Sequence, residues 1–396
     1  MPTILQINSC ANWGSTGKIA EQINQVAATQ GWDIYFAYGR DVNPCQSKLI
    51  HVGNSFSQAL AVIEARLFDN DGLSSRFATR QLVKKIKQIK PDIIHLHNLH
   101  GYYINYKILF NYLNTTDIPI VWTLHDCWSF TGHCGHFVSV NCEKWKKECK
   151  HCPLKKRYPA SWIFDGSSRN YCLKQGLFSA NNNLHIVTVS EWLANIVRQS
   201  FLKDADIRVI NNGVDLKLFK PLKTEKKTGF RILGVSSVWP ESKGLSSFVE
   251  LNKKLKDDEE LVLVGVDEKT KERLPQITCV PRTDSIEQLI TYYNQADVVL
   301  SLSKAETFGL TIAEGFACGV PGIVFNNTAL PELIIPETGF IVENDDIEAL
   351  YQRIQIIKKA GKNSYTCACR TRAEQYYNNK KRIMEYVAMY EELIAI

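Results

Sequence analysis

Short runs that are apolar at nearly every position alternate with longer runs that are apolar at every third or fourth position. Runs of the first kind suit strands buried on both faces. Runs of the second kind suit amphipathic helices. Ile4-Leu5-Gln6-Ile7 opens the series, followed by residues 32–38, 91–97, 118–126 and 184–189, with helical patterns at about 18–30, 54–68 and 79–90. The alternation restarts at 230–235 and continues through 261–266, 277–281, 296–300 and 320–325, with helices at 286–295, 310–318 and 347–360. Such order predicts an α/β protein of two doubly wound parallel sheets. No internal repeat or low-complexity tract interrupts it.

Between the two series, residues 220–229 are polar and lysine-rich, bracketed by Pro221 and Gly229. They are read as a linker. The expected domains are 1–220, Rossmann-like with an insertion at 127–168, and 221–375, also Rossmann-like. Residues 376–396 form a last helix.

Composition changes this picture little. The chain has 396 residues, 45% hydrophobic and 22% charged, as ordinary globular proteins do. There is no basic leader before the first strand and no apolar run of about 18 residues, so a cytoplasmic protein, or one peripheral to the inner membrane, is expected. Charge is more informative. The net +6 divides into +9 over residues 1–220 (25 Lys and Arg, 16 Asp and Glu) and −3 over the rest (22 and 25). The basic half suits an anionic membrane or an acidic lipid-linked acceptor. No nucleic-acid-binding motif accompanies it.

Candidate chemistry concentrates at residues 301–314. A buried strand leads into a loop holding Glu306 and Gly309, and then into a helix. The free N–H groups near Phe308, Gly309, Leu310 and Thr311, with the positive end of the helix dipole, suit a diphosphate. Glu306 and Glu314 flank that position. Near the N-terminus, a small-residue loop with Gly14 and Ser15 lets backbone approach a ligand. It is no P-loop, because Asn12 and Ile19 stand where Gly and Ser or Thr are required. Asp69-Asn70-Asp71 has a metal-binding look but reads as a turn. His97 and His125 close two adjacent strands at the ends where such sheets bind ligands, with His100 nearby.

Five of the 12 cysteines fall within 127–152. The spacing of Cys134, Cys142, Cys149 and Cys152 admits a structural zinc site, with His133, His136 or His151 as substitute ligands. Free buried thiols or a disulfide fit the same spacing.

Glu306-x7-Glu314 with Phe308-Gly309, then Cys318-Gly319-Val320-Pro321 and Pro331-Glu332, resembles the retaining GT-B glycosyltransferases of glycosyltransferase family four. Asn212-Gly213-Val214-Asp215 with Phe219 and Pro221 extends the resemblance. It implies transfer from a nucleotide sugar, UDP-glucose before a GDP-sugar, to a glycan or lipid-linked acceptor of an exopolysaccharide, with no cofactor or metal needed for catalysis, and a last helix, 376–396, that returns to the first domain. It assigns Lys243 to the diphosphate, Glu306 to the transferred sugar, Glu314 to the ribose and His125 to the donor sugar, with His97 and His100 toward the acceptor. The family's arginine before Lys243-Gly244 is missing, with Ser237 and Val238 near its place. Arg282 is a candidate replacement. That departure keeps a non-catalytic nucleotide-sugar-binding scaffold as an alternative, and a GT-B-like sugar-nucleotide epimerase is a second.

Overall fold

The computed structural model describes residues 1–223 and 229–395, so residues 224–228 of the expected linker lie outside the described residues. The chain divides into two compact units, Met1–Ile210 with Ile383–Ile396, and Asn211–Arg382. The division thus falls at 210/211, ahead of the polar stretch, and the return to the first unit begins at Ile383.

Unit 1 contains β1 (Thr3–Asn8), α1 (Gly14–Thr29), β2 (Asp33–Tyr38), β3 (Lys48–His51), α2 (Ser55–Phe68), α3 (Arg76–Ile89), β4 (Ile93–Leu96), α4 (Tyr106–Leu113), β5 (Ile120–Leu124), α5 (Ser167–Phe178), β6 (Leu184–Thr188), α6 (Glu191–Val197) and β7 (Asp206–Val209). Its strands are all parallel, in the order β3-β2-β1-β4-β5-β6-β7. The order reverses between β1 and β4, where such sheets open a crevice at their carboxyl edge. Helix α1 starts at Gly14, four residues earlier than the apolar spacing suggested, so Gly14 and Ser15 form its first turn. Gly17 permits this, because a Cβ there would meet the Cys10 carbonyl at 2.9 Å. Asn54 caps α2 by accepting from the Ser57 N–H, and Ser190 caps α6 through the Leu193 N–H. The edge strand β3 escaped the pattern because three of its four residues are exposed.

The insertion after β5 is irregular, with three single 3₁₀ turns. Its own small core is Trp145, packed on Phe137 at 4.8 Å and Phe130 at 5.6 Å between ring centroids.

Unit 2 contains β8 (Phe230–Val235), α7 (Leu245–Asn252), β9 (Glu259–Val264), α8 (Glu268–Lys271), β10 (Thr278–Val280), α9 (Ile286–Gln295), β11 (Val298–Ser301), α10 (Leu310–Ala317), β12 (Gly322–Phe325), β13 (Gly339–Val342), α11 (Ile347–Ala360) and α12 (Asn363–Tyr376). Its parallel sheet runs β10-β9-β8-β11-β12-β13 and reverses between β8 and β11. Phe230, Ile232, Leu263, Val298, Leu300 and Ile323 pack beneath α7 and α11 as its core.

The charged C-terminal stretch is two helices, α12 and α13 (Asn379–Ile394). From Ile383 onward α13 belongs to unit 1, where Ile383, Val387, Tyr390 and Leu393 bury against Ile4, Ile93, Val121 and Val187. Among the described residues no helix is long and apolar enough to cross a membrane.

Candidate active site

In unit 2 the reversal of strand order brings two loops together. One follows β8 and carries Lys243. The other follows β11 and carries Glu306. Their backbones are joined: the Lys304 N–H donates to the Ser242 carbonyl at 2.9 Å, and the Ser303 hydroxyl to the same oxygen at 3.1 Å. Gly244, at φ 78°, allows this approach, since a Cβ there would lie 2.2 Å from the Leu302 carbonyl oxygen. The result is an ion pair, Lys243 Nζ to Glu306 Oε1 at 2.5 Å, both half-buried. The Glu306 N–H donates to the Thr328 hydroxyl at 2.9 Å, and Asn327 Nδ2 to the Lys304 carbonyl at 2.7 Å, so the loop after β12 braces the same turn.

Three residues on, α10 begins. Its N-cap is Gly309 at φ 107°, where a side chain is strained and a Cβ would also meet Leu330 at 2.8 Å. No side chain caps the helix, and its first turn holds no acidic residue. Its leading N–H groups, beside Phe308, Leu310 and Thr311, therefore remain available to an anion. The Phe308 ring packs edge-on to Tyr377 at 5.6 Å. Glu314, inside the helix, accepts from the buried Tyr293 hydroxyl at 2.6 Å. The sequence reading missed Tyr293, Thr328 and Asn327. They lie on elements far apart in the chain, and no local spacing marks them.

Arg282 follows β10, and β9 separates β10 from β8, about 10 Å at ordinary strand spacing. Lys304 lies in the turn itself, paired with Glu241 at 3.1 Å and Asp345 at 3.3 Å.

In unit 1 the carboxyl ends of β1, β4 and β5 carry a hydrogen-bonded relay. Gln6 Oε1 meets His97 Nε2 at 2.8 Å, and His97 Nδ1 meets His125 Nε2 at 3.0 Å. His97 is fully buried with both nitrogens engaged, so it positions His125 and is not free for an acceptor, contrary to expectation. Burial, then the neighbouring imidazoles, hold His97 well below the usual histidine range. Burial also lowers His125 to about 4 against the pull of Asp126, leaving a neutral ring at the end of β5.

His100 is likewise committed, to Asp126 at 2.9 Å and to the Tyr158 hydroxyl at 3.1 Å. Burial opposes its charge, but Asp126 wins and raises it. Gly14 and Ser15 are exposed in the first turn of α1, which also lacks a side-chain cap.

Asp69 and Asp71 are buried structural groups. Asp69 accepts from the Gly166 N–H at 2.9 Å and meets His133 Nδ1 at 2.6 Å. His133, whose other nitrogen meets the Arg157 carbonyl at 3.4 Å, is therefore no thiol substitute, and His136 and His151 are exposed. Cys134, Cys142, Cys149 and Cys152 line one small pocket, and every cysteine is a free thiol. Among the described residues, however, no group of three or more His, Cys, Asp or Glu side chains is placed to hold a metal ion. The Cys134 and Cys152 thiols act on one another, which raises Cys134 above the usual thiol range and lowers Cys152 against its burial.

Two family models match, Glycosyltransferase Family 4 over residues 28–218 and Glycosyl transferases group 1 over residues 229–358. The chain is 25% identical to WcaC of Escherichia coli (strain K12), a glycosyl transferase assigned to colanic acid biosynthesis. That alignment covers 98% of this chain and all of WcaC. A GDP-mannose-dependent mannosyltransferase of Corynebacterium glutamicum is 24% identical over 45% of this chain and 54% of its own.

Among solved structures, sucrose-phosphate synthase from Thermosynechococcus elongatus superposes with a TM-score of 0.73 at 18% identity, covering both chains fully. Anabaena HepE in complex with UDP gives 0.67 at 15% identity over 98% or more of this chain and all of its own. Two parallel sheets that each reverse at their centre, and two family models that between them take in both units, converge on one assignment: the chain is a GT-B glycosyltransferase of glycosyltransferase family 4, with a group 1 domain as its second half.

Proposed function

We propose that the protein moves a sugar from a nucleoside-diphosphate sugar to a glycan or lipid-linked oligosaccharide, with retention at the anomeric carbon, in the building of a polysaccharide. The observation that carries this is the Lys243–Glu306 pair beside the uncapped start of α10. A cation and a row of N–H groups suit the two phosphates, and a carboxylate between them suits sugar hydroxyls. Glu314, fixed by Tyr293, serves the ribose.

Catalysis in this reading is electrostatic. The leaving diphosphate is stabilised by Lys243 and the α10 N–H groups, and takes the acceptor's proton on the face where the new bond forms. Glu306 steadies the positive charge that develops on the sugar. The roles of His125 with the donor sugar, and of Gly14 and Ser15 with the diphosphate, rest on the family resemblance. A fixed neutral imidazole and an uncapped helix start support them.

The polysaccharide assignment draws on the full-length similarity to WcaC. UDP-glucose is the favoured donor, because HepE structures of this fold hold UDP and UDP-glucose. A GDP-sugar is the second reading, from the relatives named for GDP-mannose. No step uses a metal, and EDTA should leave transfer intact. A structural zinc ion at the four cysteines is a separate proposal, and it requires their thiols to draw closer together than they stand. Less than one zinc per chain in protein purified without chelator rejects it.

The test of the whole reading is a thermal-shift screen of UDP- and GDP-sugars, followed by transfer to a lipid-linked acceptor and determination of the product's anomeric configuration. A bound nucleotide raises the midpoint by mass action. An inverted product rejects retention, and no stabilisation by any nucleotide sugar rejects the site.

A further inference from the structure

Helix α2 is turned inside out. It meets the body of unit 1 through small residues, Ala61 and Ala65, buried against Tyr102. Its large apolar residues Phe56, Leu60 and Ile63, spaced i, i+4 and i+7 along one face, stand in solvent, with Phe56 78% exposed. A helix resting on a water-soluble protein normally does the reverse. A second apolar patch lies at its end. Exposed Phe68 stacks on exposed Phe164 at 5.7 Å, and Trp162, 64% exposed, lies under the Arg66 guanidinium at 5.2 Å. Two backbone bonds, Trp162 N–H to the Arg66 carbonyl and Phe164 N–H to the Leu67 carbonyl, fix that segment to the helix.

Across a groove lies α3. It carries Arg76, Arg80, Lys84, Lys85 and Lys87 and no acidic residue, and it buries Ala78, Leu82 and Ile86. Phe77 at its start is 73% exposed. Among the described residues no carboxylate pairs with Arg76, Arg80, Lys84 or Lys85. The acidic groups between residues 55 and 90 are a small counterweight to these five cations: Asp69 and Asp71 are buried, which leaves the half-exposed Glu64, an acceptor from Ser74.

We infer that α2, the segment 162–164 and α3 form a docking face for an anionic phospholipid bilayer. The apolar side chains would enter the boundary between headgroups and acyl chains, Trp162 would sit at the headgroup level, and the α3 cations would lie on the lipid phosphates. Charge decides between this occupant and a second copy of the chain. A two-fold contact through the same face places two cationic α3 helices in one interface, whereas an anionic bilayer satisfies both the apolar and the basic surface. The inference stands apart from the proposed reaction, since vesicle binding is read without donor or acceptor.

The test is flotation of the full chain with vesicles of phosphatidylcholine alone and of phosphatidylcholine mixed with phosphatidylglycerol. Binding to the mixed vesicles that falls with added salt is expected. Both the Phe56→Ser, Ile63→Ser variant and the Arg80→Glu, Lys84→Glu variant should weaken it at least ~10-fold. These side chains are exposed, and circular dichroism should be unchanged. Phe56→Ala alone serves if a double variant fails to fold, and should lose part of the binding. Equal binding to both vesicles, no binding, or variants that float like the native chain overturn the inference. So does a lipid-free dimer that the same substitutions disperse.

Discussion

Lys243 and Glu306 touch at 2.5 Å although 63 residues separate them. They meet because β8 and β11 are neighbours in a sheet whose order reverses between them. Lys243→Ala and Glu306→Ala should each lose at least ~10² in turnover, the usual cost of one preorganised contact to developing charge. The double variant should lose much less than the product of the two, because the side chains act as a unit. Steady-state kinetics of the three variants checks both points. Near-normal turnover in either single variant removes that residue from its role.

Tyr293 acts through Glu314. Tyr293→Phe keeps the buried ring but removes the donor, and hydrogen bonds to charged groups contribute about 1.5–3 kcal/mol. The dissociation constant for the nucleoside diphosphate should rise about tenfold or more, with turnover at saturation little changed. Calorimetric titration reads the first and saturating kinetics the second. An unaltered dissociation constant would sever the link between Glu314 and the nucleotide.

Acid should destabilise unit 1 through its histidines. His125 falls from 6.5 to about 4 on folding, His95 to about 3, and His97 well below its usual range. A histidine whose folded value is depressed binds its proton more readily when unfolded. Its contribution is therefore complete above pH 6.5 and is lost as pH falls through the folded values. His100 is raised and acts in the opposite sense, losing its contribution as pH rises. Urea melts between pH 7 and pH 4 should show falling stability with acid, and His125→Gln should flatten the slope. Equal slopes for variant and native protein would reject the burial account.

Cys152 should be the reactive thiol of its pocket. Its acidity, lowered below the usual thiol range, depends first on the contact with Cys134. Alkylation followed against pH, with the site located by mass spectrometry, should show the lowest midpoint at Cys152. Cys134→Ala should move that midpoint upward. Reaction at Cys142 or Cys149 with the same midpoint would count against it.

His95 and Tyr390 are 295 residues apart and share a fully buried bond of 2.6 Å. Tyr390→Phe leaves His95 Nδ1 without its partner and should cost about 1–3 kcal/mol by urea denaturation. Removal of residues 383–396 uncovers the apolar cluster beneath the sheet and should prevent unit 1 from folding cooperatively. A truncated chain with a native-like melt would show that α13 is dispensable.

Much of this protein was legible in its residues. Strands buried on both faces announce themselves as unbroken apolar runs, so β1, β4, β5, β8, β11 and β12 stood out, and Gly309 with Glu306 and Glu314 marked a candidate site through their spacing together with the family resemblance of the residues around them. Strand order, and with it the meeting of Lys243 with Glu306, was not legible, because parallel neighbours are chosen by packing across the whole sheet. Nor was the relay from Gln6 to His125. His97 and His125 stood out at two strand ends, but Gln6 did not, and nothing local says that the three side chains meet. Only the tertiary structure turned His97 from a candidate ligand into a buried support, set Arg282 two strands from the reversal, and left α2 with its apolar face in water. The reason is common to all of these. Periodicity records which face of an element is apolar, while the partner that face finds, or fails to find, depends on elements tens to hundreds of residues away.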